Sequence, residues 1–212
     1  MKKLFALILA ACLLALAACG ATEKAENTPD ASEMTVGGWQ VPESPEITEE
    51  IAPFLDKAMS DYDSGEYEAQ ALIGTQVVAG MNYRFLGTKT EDCGTCNKNI
   101  TFCVITVYKD LQGNAKVTDI TDTDNYPGYC ESEECWYKPA SPVVTEEVKA
   151  AFDKAAKDTS LVPVALVGSK DDAGENYMLF CKDGDSYSFA TLNVGADGKS
   201  QITETKPLSP VD

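Results

Sequence analysis

Histidine is absent from this chain. That absence removes Cys-His and Ser-His-Asp nucleophile pairs, mixed Cys/His zinc sites and the one side chain whose ordinary pKa lies near neutrality, so no enzymatic role is expected. Positive charge is scarce as well. Seventeen Lys and Arg stand against 34 Asp and Glu, a formal net charge of −17, and such a surface repels phosphate backbones and anionic lipid headgroups. Nucleic acid is not expected as a partner.

What the chain does have begins with MKKLFALILAACLLALAAC: two lysines, an apolar run, then small residues ending at Cys19. This is the layout of an export signal, too short for a stable membrane span. Leu16-Ala17-Ala18-Cys19 resembles a bacterial lipobox, in which the cysteine sulfur takes a diacylglycerol and becomes the mature N-terminus. The resemblance implies a signal peptide over residues 1–18, lipidation at Cys19 and an exported protein held on the outer side of a bacterial membrane by that lipid. Plain secretion with cleavage nearby is the alternative. Losing residues 1–18 removes Lys2 and Lys3 and no acid, which deepens the net charge to −19. Residues 19–35 are polar without an apolar period and read as a flexible tether, spanning on the order of 20–25 Å.

Comparing the chain with itself shows a repeat. SPEITEEIAPFLDKAM at 44–59 recurs as SPVVTEEVKAAFDKAA at 141–156, and ALIGTQVVAGMNY at 71–83 recurs as ALVGSKDDAGENY at 165–177. In the first copy Ile47, Ile51, Leu55, Ala58, Met59 and Tyr62 recur at helical spacing, Thr48 suits an N-cap, and Glu49 and Glu50 stand where the helix dipole favours acids. Pro53 lacks an amide donor and crowds the carbonyl four residues back, so this helix is kinked or starts later than its twin, where Ala150 stands instead. Strand-like runs follow at 67–77, 80–90, 100–110 and 115–121, and in the second copy at 161–170, 174–182, 186–194 and 200–206. One helix followed by an antiparallel meander in each copy predicts an α+β fold of two tandem units, each a helix packed across an antiparallel sheet, over 36–121 and 142–212. The Pro-, Gly- and acid-rich stretch 122–141 reads as a linker fixed by cysteines.

The hairpin corner between the first two strands is Gln76-Val77-Val78-Ala79-Gly80, where turns normally carry Asn, Asp, Ser and Gly. Its copy is Lys170-Asp171-Asp172-Ala173-Gly174. The fold therefore does not demand valines, and a corner buried by folding would bury two aspartates in the twin at a cost of several kcal/mol. Val77 and Val78 are expected to be exposed for contact.

Gln76-Val77-Val78-Ala79-Gly80 followed by Asn82-Tyr83-Arg84 resembles the first inhibitory hairpin of cystatins, the protein inhibitors of papain-like cysteine peptidases. Val36-Gly37-Gly38-Trp39, with Pro42 close behind, is similar to the trunk of plant cystatins. Val107-Tyr108-Lys109-Asp110-Leu111-Gln112-Gly113-Asn114 resembles the second hairpin of the stefin branch. The resemblance makes the two units cystatin-like, the second degenerate. It implies a wedge built from Gly37, Gly38, Trp39, Gln76, Val77, Val78, Ala79, Gly80, Leu111, Gln112 and Gly113 that fills the active-site cleft of a papain-like peptidase without being cleaved. Gly37-Gly38 reads equally as the end of the tether, and Trp39 as a ring packed on its own sheet. Leu111-Gln112-Gly113 lacks the Pro and Trp of stronger second loops, and the second unit has lost the hairpin chemistry. A monomer without cofactor or metal is expected, and the alternative function is a non-inhibitory, protein-binding lipoprotein on the same scaffold.

Cys12 departs with the signal, which leaves Cys93, Cys96, Cys103, Cys130, Cys135 and Cys181 beside the lipidated Cys19. Outside the cytoplasm six cysteines favour disulfides, with fifteen possible pairings. Cys93-Gly94-Thr95-Cys96 also admits a redox dithiol or, with Cys130 and Cys135, a zinc site. The first wants a βαβ setting that these strands do not offer, and structural crosslinks remain the expectation.

Overall fold

The computed structural model describes residues 37–91, 99–127, 129 and 136–208. The tether, Val36, Cys19, Cys93, Cys96, Cys130 and Cys135 lie outside them.

Among the described residues nine strands and two short helices follow in the order β1 (Trp39–Gln40), α1 (Ala52–Ser60), β2 (Glu66–Val78), β3 (Gly80–Glu91), β4 (Asn99–Lys109), β5 (Ala115–Pro127), α2 (Glu146–Ala155), β6 (Leu161–Asp171), β7 (Glu175–Asp183), β8 (Ser186–Val194) and β9 (Ser200–Pro207). The strands expected from the sequence lie within a residue of their spans except β5, which continues to Pro127 through residues read as linker, and β1 was not among those expected. Neighbours in sequence pair antiparallel, giving a five-stranded sheet β1-β2-β3-β4-β5 and a four-stranded sheet β6-β7-β8-β9.

Two tandem helix-across-sheet units of α+β class are not what forms. Strand makes up 55% of the described residues and helix 12%, and the two sheets share a core. The reason is legible in the burial. Ala71, Leu72 and Ile73 are buried in succession, as are Phe102, Cys103, Val104 and Ile105. Successive strand residues point to opposite faces, so both faces of these strands are covered. A single helix covers one. On that side Leu72, Phe85, Cys103 and Ile105 meet Phe54, Leu55 and Ala58 of α1. On the other side Ala71, Ile73, Leu86, Phe102 and Val104 meet Ala165, Val167, Met178, Phe180 and Phe189 of the second sheet. Phe102 and Phe189 pack with ring centroids 5.1 Å apart. Helix α2 covers the outer face of the second sheet through Val148 and Phe152. The order of layers is helix, sheet, sheet, helix.

The repeat extends to the irregularities of the first hairpin in each sheet. Register shifts between Ala69 and Ala71 and between Leu72 and Gly74 recur between Pro163 and Ala165 and between Leu166 and Gly168. The helices differ where Pro53 differs. Thr145 caps α2, its hydroxyl accepting from the Val148 amide at 3.3 Å, whereas α1 starts at Ala52 with proline in its first turn and no side-chain cap. Pro53 thus delays the helix rather than kinking it, and Glu49 and Glu50 fall in a turn ahead of it.

The two sheets run in opposite senses. Tyr187, at the start of β8, donates its hydroxyl to the Ile73 carbonyl at 3.4 Å, just past the middle of β2 on the tip side. Lys138, beside the tip end of β6, bonds Glu68 near the start of β2 at 2.7 Å. The β2–β3 and β6–β7 corners therefore stand at opposite ends of the sandwich.

Candidate functional site: the trunk and hairpin edge

Strand β1 holds the trunk against β2, with Trp39 opposite Gln76 and Gln40 opposite Thr75. The Gly37 amide donates to the Val77 carbonyl at 3.2 Å, and Gln76 Nε2 donates to the Gly37 carbonyl at 3.0 Å. Asn82 Nδ2 in turn donates to Gln76 Oε1 at 2.7 Å. One glutamine side chain thus ties trunk and hairpin together, and Gly37 is part of the edge rather than a loose end. Gly37 is exposed, and Gly38 and Trp39 are half-buried.

Trp39 packs on its own sheet. Its ring lies over Gly74, where an added Cβ would come within 3.2 Å of it, and the Arg84 guanidinium lies over the ring, 3.9 Å from its centroid. Cation–π stacking and the bare glycine surface fix the indole. It supports the edge and is not a protruding contact.

At the corner, Val78 pairs with Gly80 and Ala79 forms the tip. Val78 and Ala79 are exposed, Val78 to 39%, while Val77 is half-buried opposite Met81. Both valines were expected in solvent, and Val78 is the one that stands there. Gly80 has φ of 128°, and a Cβ on it would lie 2.4 Å from the Lys109 carbonyl. Both facts require glycine.

Met81 pairs with Lys109 and Lys109 with Ala115, so the turn 110–114 stands beside the β2–β3 corner. Tyr108 joins the two, its hydroxyl donating to the Ala79 carbonyl at 2.5 Å. Asp110 shapes the second turn, its carboxylate accepting from the Gln112 and Asn114 amides at 2.9 and 2.8 Å and from Asn114 Nδ2 at 2.9 Å. The Asn114 side chain foremost, then the backbone amides, hold this carboxyl below the usual carboxylate range. Gly113 takes φ of 88°, and Leu111 is thrown out to 80% exposure with Gln112 and Gly113 beside it.

The second sheet builds the same edge with other chemistry. Gly174 repeats Gly80, with φ of 115° and a Cβ position 2.6 Å from the Val194 carbonyl. The corner and its neighbour turn surround an open concavity of about 540 Å³ lined by Asp171, Asp172, Glu175 and Ala196. Val77, Val78 and Leu111 thus have Asp171, Asp172 and Ala196 as counterparts. A trunk is present here too. Trp136 lies over Gly168 as Trp39 lies over Gly74, and Tyr137 pairs with Ser169. The signal was in the sequence, since Trp39-x-x-Pro42-x-Ser44-Pro45-x-x-Thr48 recurs as Trp136-x-x-Pro139-x-Ser141-Pro142-x-x-Thr145. The repeat simply begins earlier than its most similar stretch. Tyr108 and Arg84, which brace the first edge, had no sequence signal of their own.

Cys103 and Cys181 are free thiols, which corrects the crosslinks expected for them. Each is fully buried in a helix-facing core, and burial pushes each pKa up to about 12. Among the described residues no cluster of His, Cys, Asp and Glu could hold a metal. No helix among them is long and apolar enough to cross a membrane.

In comparisons with known proteins, no family model, no curated protein and no solved structure matches this chain.

Proposed function

We propose that the chain is an exported inhibitor, tethered by lipid at Cys19, that wedges its trunk and paired hairpin tips into the active-site cleft of a papain-like cysteine peptidase. The observation that carries this reading is the edge itself: Gly37, Ala79 and Leu111 belong to three segments bonded into one end of one sheet. Val78 and Leu111 stand exposed there, at positions where the twin edge has Asp172 and Ala196. An apolar, braced edge loses little entropy when it enters a groove. Full burial of Leu111 contributes about 1.5–3 kcal/mol, and that of Val78, already more than half covered, about 1 kcal/mol.

The specificity for a cysteine peptidase rests on the similarity of the three segments to the contact segments of cystatins. Titrating the soluble fragment 20–212 into papain while following hydrolysis of a small peptide substrate tests it. Stoichiometric loss of hydrolysis is expected, and undiminished hydrolysis at saturating fragment contradicts it. A binder without inhibition is the second reading, favoured by a second tip whose only large apolar side chain is Leu111. Papain that is captured by the fragment yet stays active identifies that case.

A further inference from the structure

The edge carries almost no charge on a chain of net charge −17. Within 37–41, 75–83 and 107–115 the charged residues are Lys109 and Asp110. Lys109 Nζ sits 4.5 Å from the Phe54 ring centroid, and Asp110 is engaged by its own turn. Behind the edge the character changes abruptly. From residue 37 to 56 there is no Lys or Arg, and Glu43, Glu46, Glu49 and Glu50 are all exposed.

Glu49 and Glu50 are common to both repeats, although α1 itself has no acid in its first turn. They precede α1, and their twins Glu146 and Glu147 form the first turn of α2, where the helix dipole favours acids. Glu43 and Glu46 are not shared, because the same positions in the second repeat are Ala140 and Val143. Their segment is fixed in place, since the Leu72 amide donates to the Pro45 carbonyl at 2.8 Å, which lays residues 41–45 alongside β2. Among the described residues neither glutamate pairs with a cation. They are acids of the first repeat alone, on the segment that follows β1 and lies behind the edge, alongside the middle of β2.

We infer that the cleft entered by this edge is rimmed with basic side chains where it meets Glu43 and Glu46, so that the partner is a cationic peptidase selected by association rate. This rests on the docking role proposed above. Rim charges act on encounter and its salt dependence far more than on dissociation, because they stay hydrated in the complex. The uncharged edge avoids the desolvation cost that buried acids would bring.

The test compares association of papain with the soluble fragment, with Glu43→Gln/Glu46→Gln and with Asp171→Asn/Asp172→Asn, at low and high salt. The last variant changes net charge equally but at the opposite end of the sandwich. The glutamate variant is expected to associate about 3- to 10-fold more slowly at low salt with dissociation unchanged, the difference vanishing at high salt. The aspartate variant is expected to match the unaltered protein. Papain whose lysines have been succinylated is expected to associate more slowly and to lose its preference for the unaltered protein. Equal association of all three proteins with papain overturns the basic rim, as does equal slowing of both variants, which reports net charge alone. A fragment that does not bind papain under any condition contradicts the docking role itself.

Discussion

The Tyr108 hydroxyl donates to the Ala79 carbonyl at 2.5 Å, so the tip of the first hairpin is held by the strand that leads into the second. Tyr108→Phe removes this bond and leaves the ring. A hydrogen bond of this kind contributes about 0.5–1.5 kcal/mol. The variant is expected to keep its melting temperature within a few degrees and to bind papain roughly 3- to 10-fold more weakly. Calorimetry and surface-based binding measure the two, and unchanged affinity shows that the tips need no brace.

Gly80 and Gly113 both have positive φ, yet they differ in what surrounds them. An added methyl at Gly80 meets the Lys109 carbonyl at 2.4 Å, and one at Gly113 meets nothing within 4 Å. Gly113→Ala is expected to cost about 1–2 kcal/mol from the backbone alone. Gly80→Ala adds a backbone clash and should cost at least about 3 kcal/mol, with Gly174→Ala close to it. Urea denaturation ranks the three.

The twin threonines should behave differently. Thr145→Ala removes the side-chain cap of α2 and is expected to cost about 1 kcal/mol. Thr48 offers only its carbonyl to Ile51 and Ala52, because Pro53 has delayed the helix. Thr48→Ala should therefore fall within about 0.5 kcal/mol of the unaltered protein.

Cys103 and Cys181 have folded pKa values raised to about 12 from an unfolded value of 9.0, with desolvation the largest cause at both. A raised pKa means that the folded state holds its proton where the unfolded state has released it. The resulting stability is fully present below pH 9 and is lost as pH rises from 9 towards 12. Replacing both thiols with alanine is expected to flatten that part of the pH–stability curve. In the native protein at pH 8, neither thiol should react with a thiol reagent until the chain unfolds, which mass spectrometry of labelled peptides reads directly.

Much of this architecture was written in local patterns. The strands, both helices and the delayed start of α1 follow from alternation, helical spacing and the position of one proline. The hairpin edge was legible because a chain that repeats itself supplies its own control: an exposed Val78 stands where the second copy of the same scaffold has Asp172. What local pattern does not carry is which surface covers the second face of a sheet. Leu72 and Ile73 are equally apolar, and only the fold reveals that one meets α1 and the other the opposite sheet. The cysteines show the same limit. Cys103 faces Gly87 across its ladder and Cys181 faces Ser188, so each sits as a small apolar core residue, a role that composition alone does not distinguish from a crosslink.

Val78 offers the most direct measurement, with its twin as control. The dissociation constant for papain is to be compared among the fragment 20–212, Val78→Asp and Asp172→Val. Loss of the valine contact together with desolvation of the new carboxylate should weaken binding by about 100-fold or more in Val78→Asp, while Asp172→Val binds as the unaltered fragment does. Equal constants for Val78→Asp and the unaltered fragment, or no binding by either, contradict the docking edge.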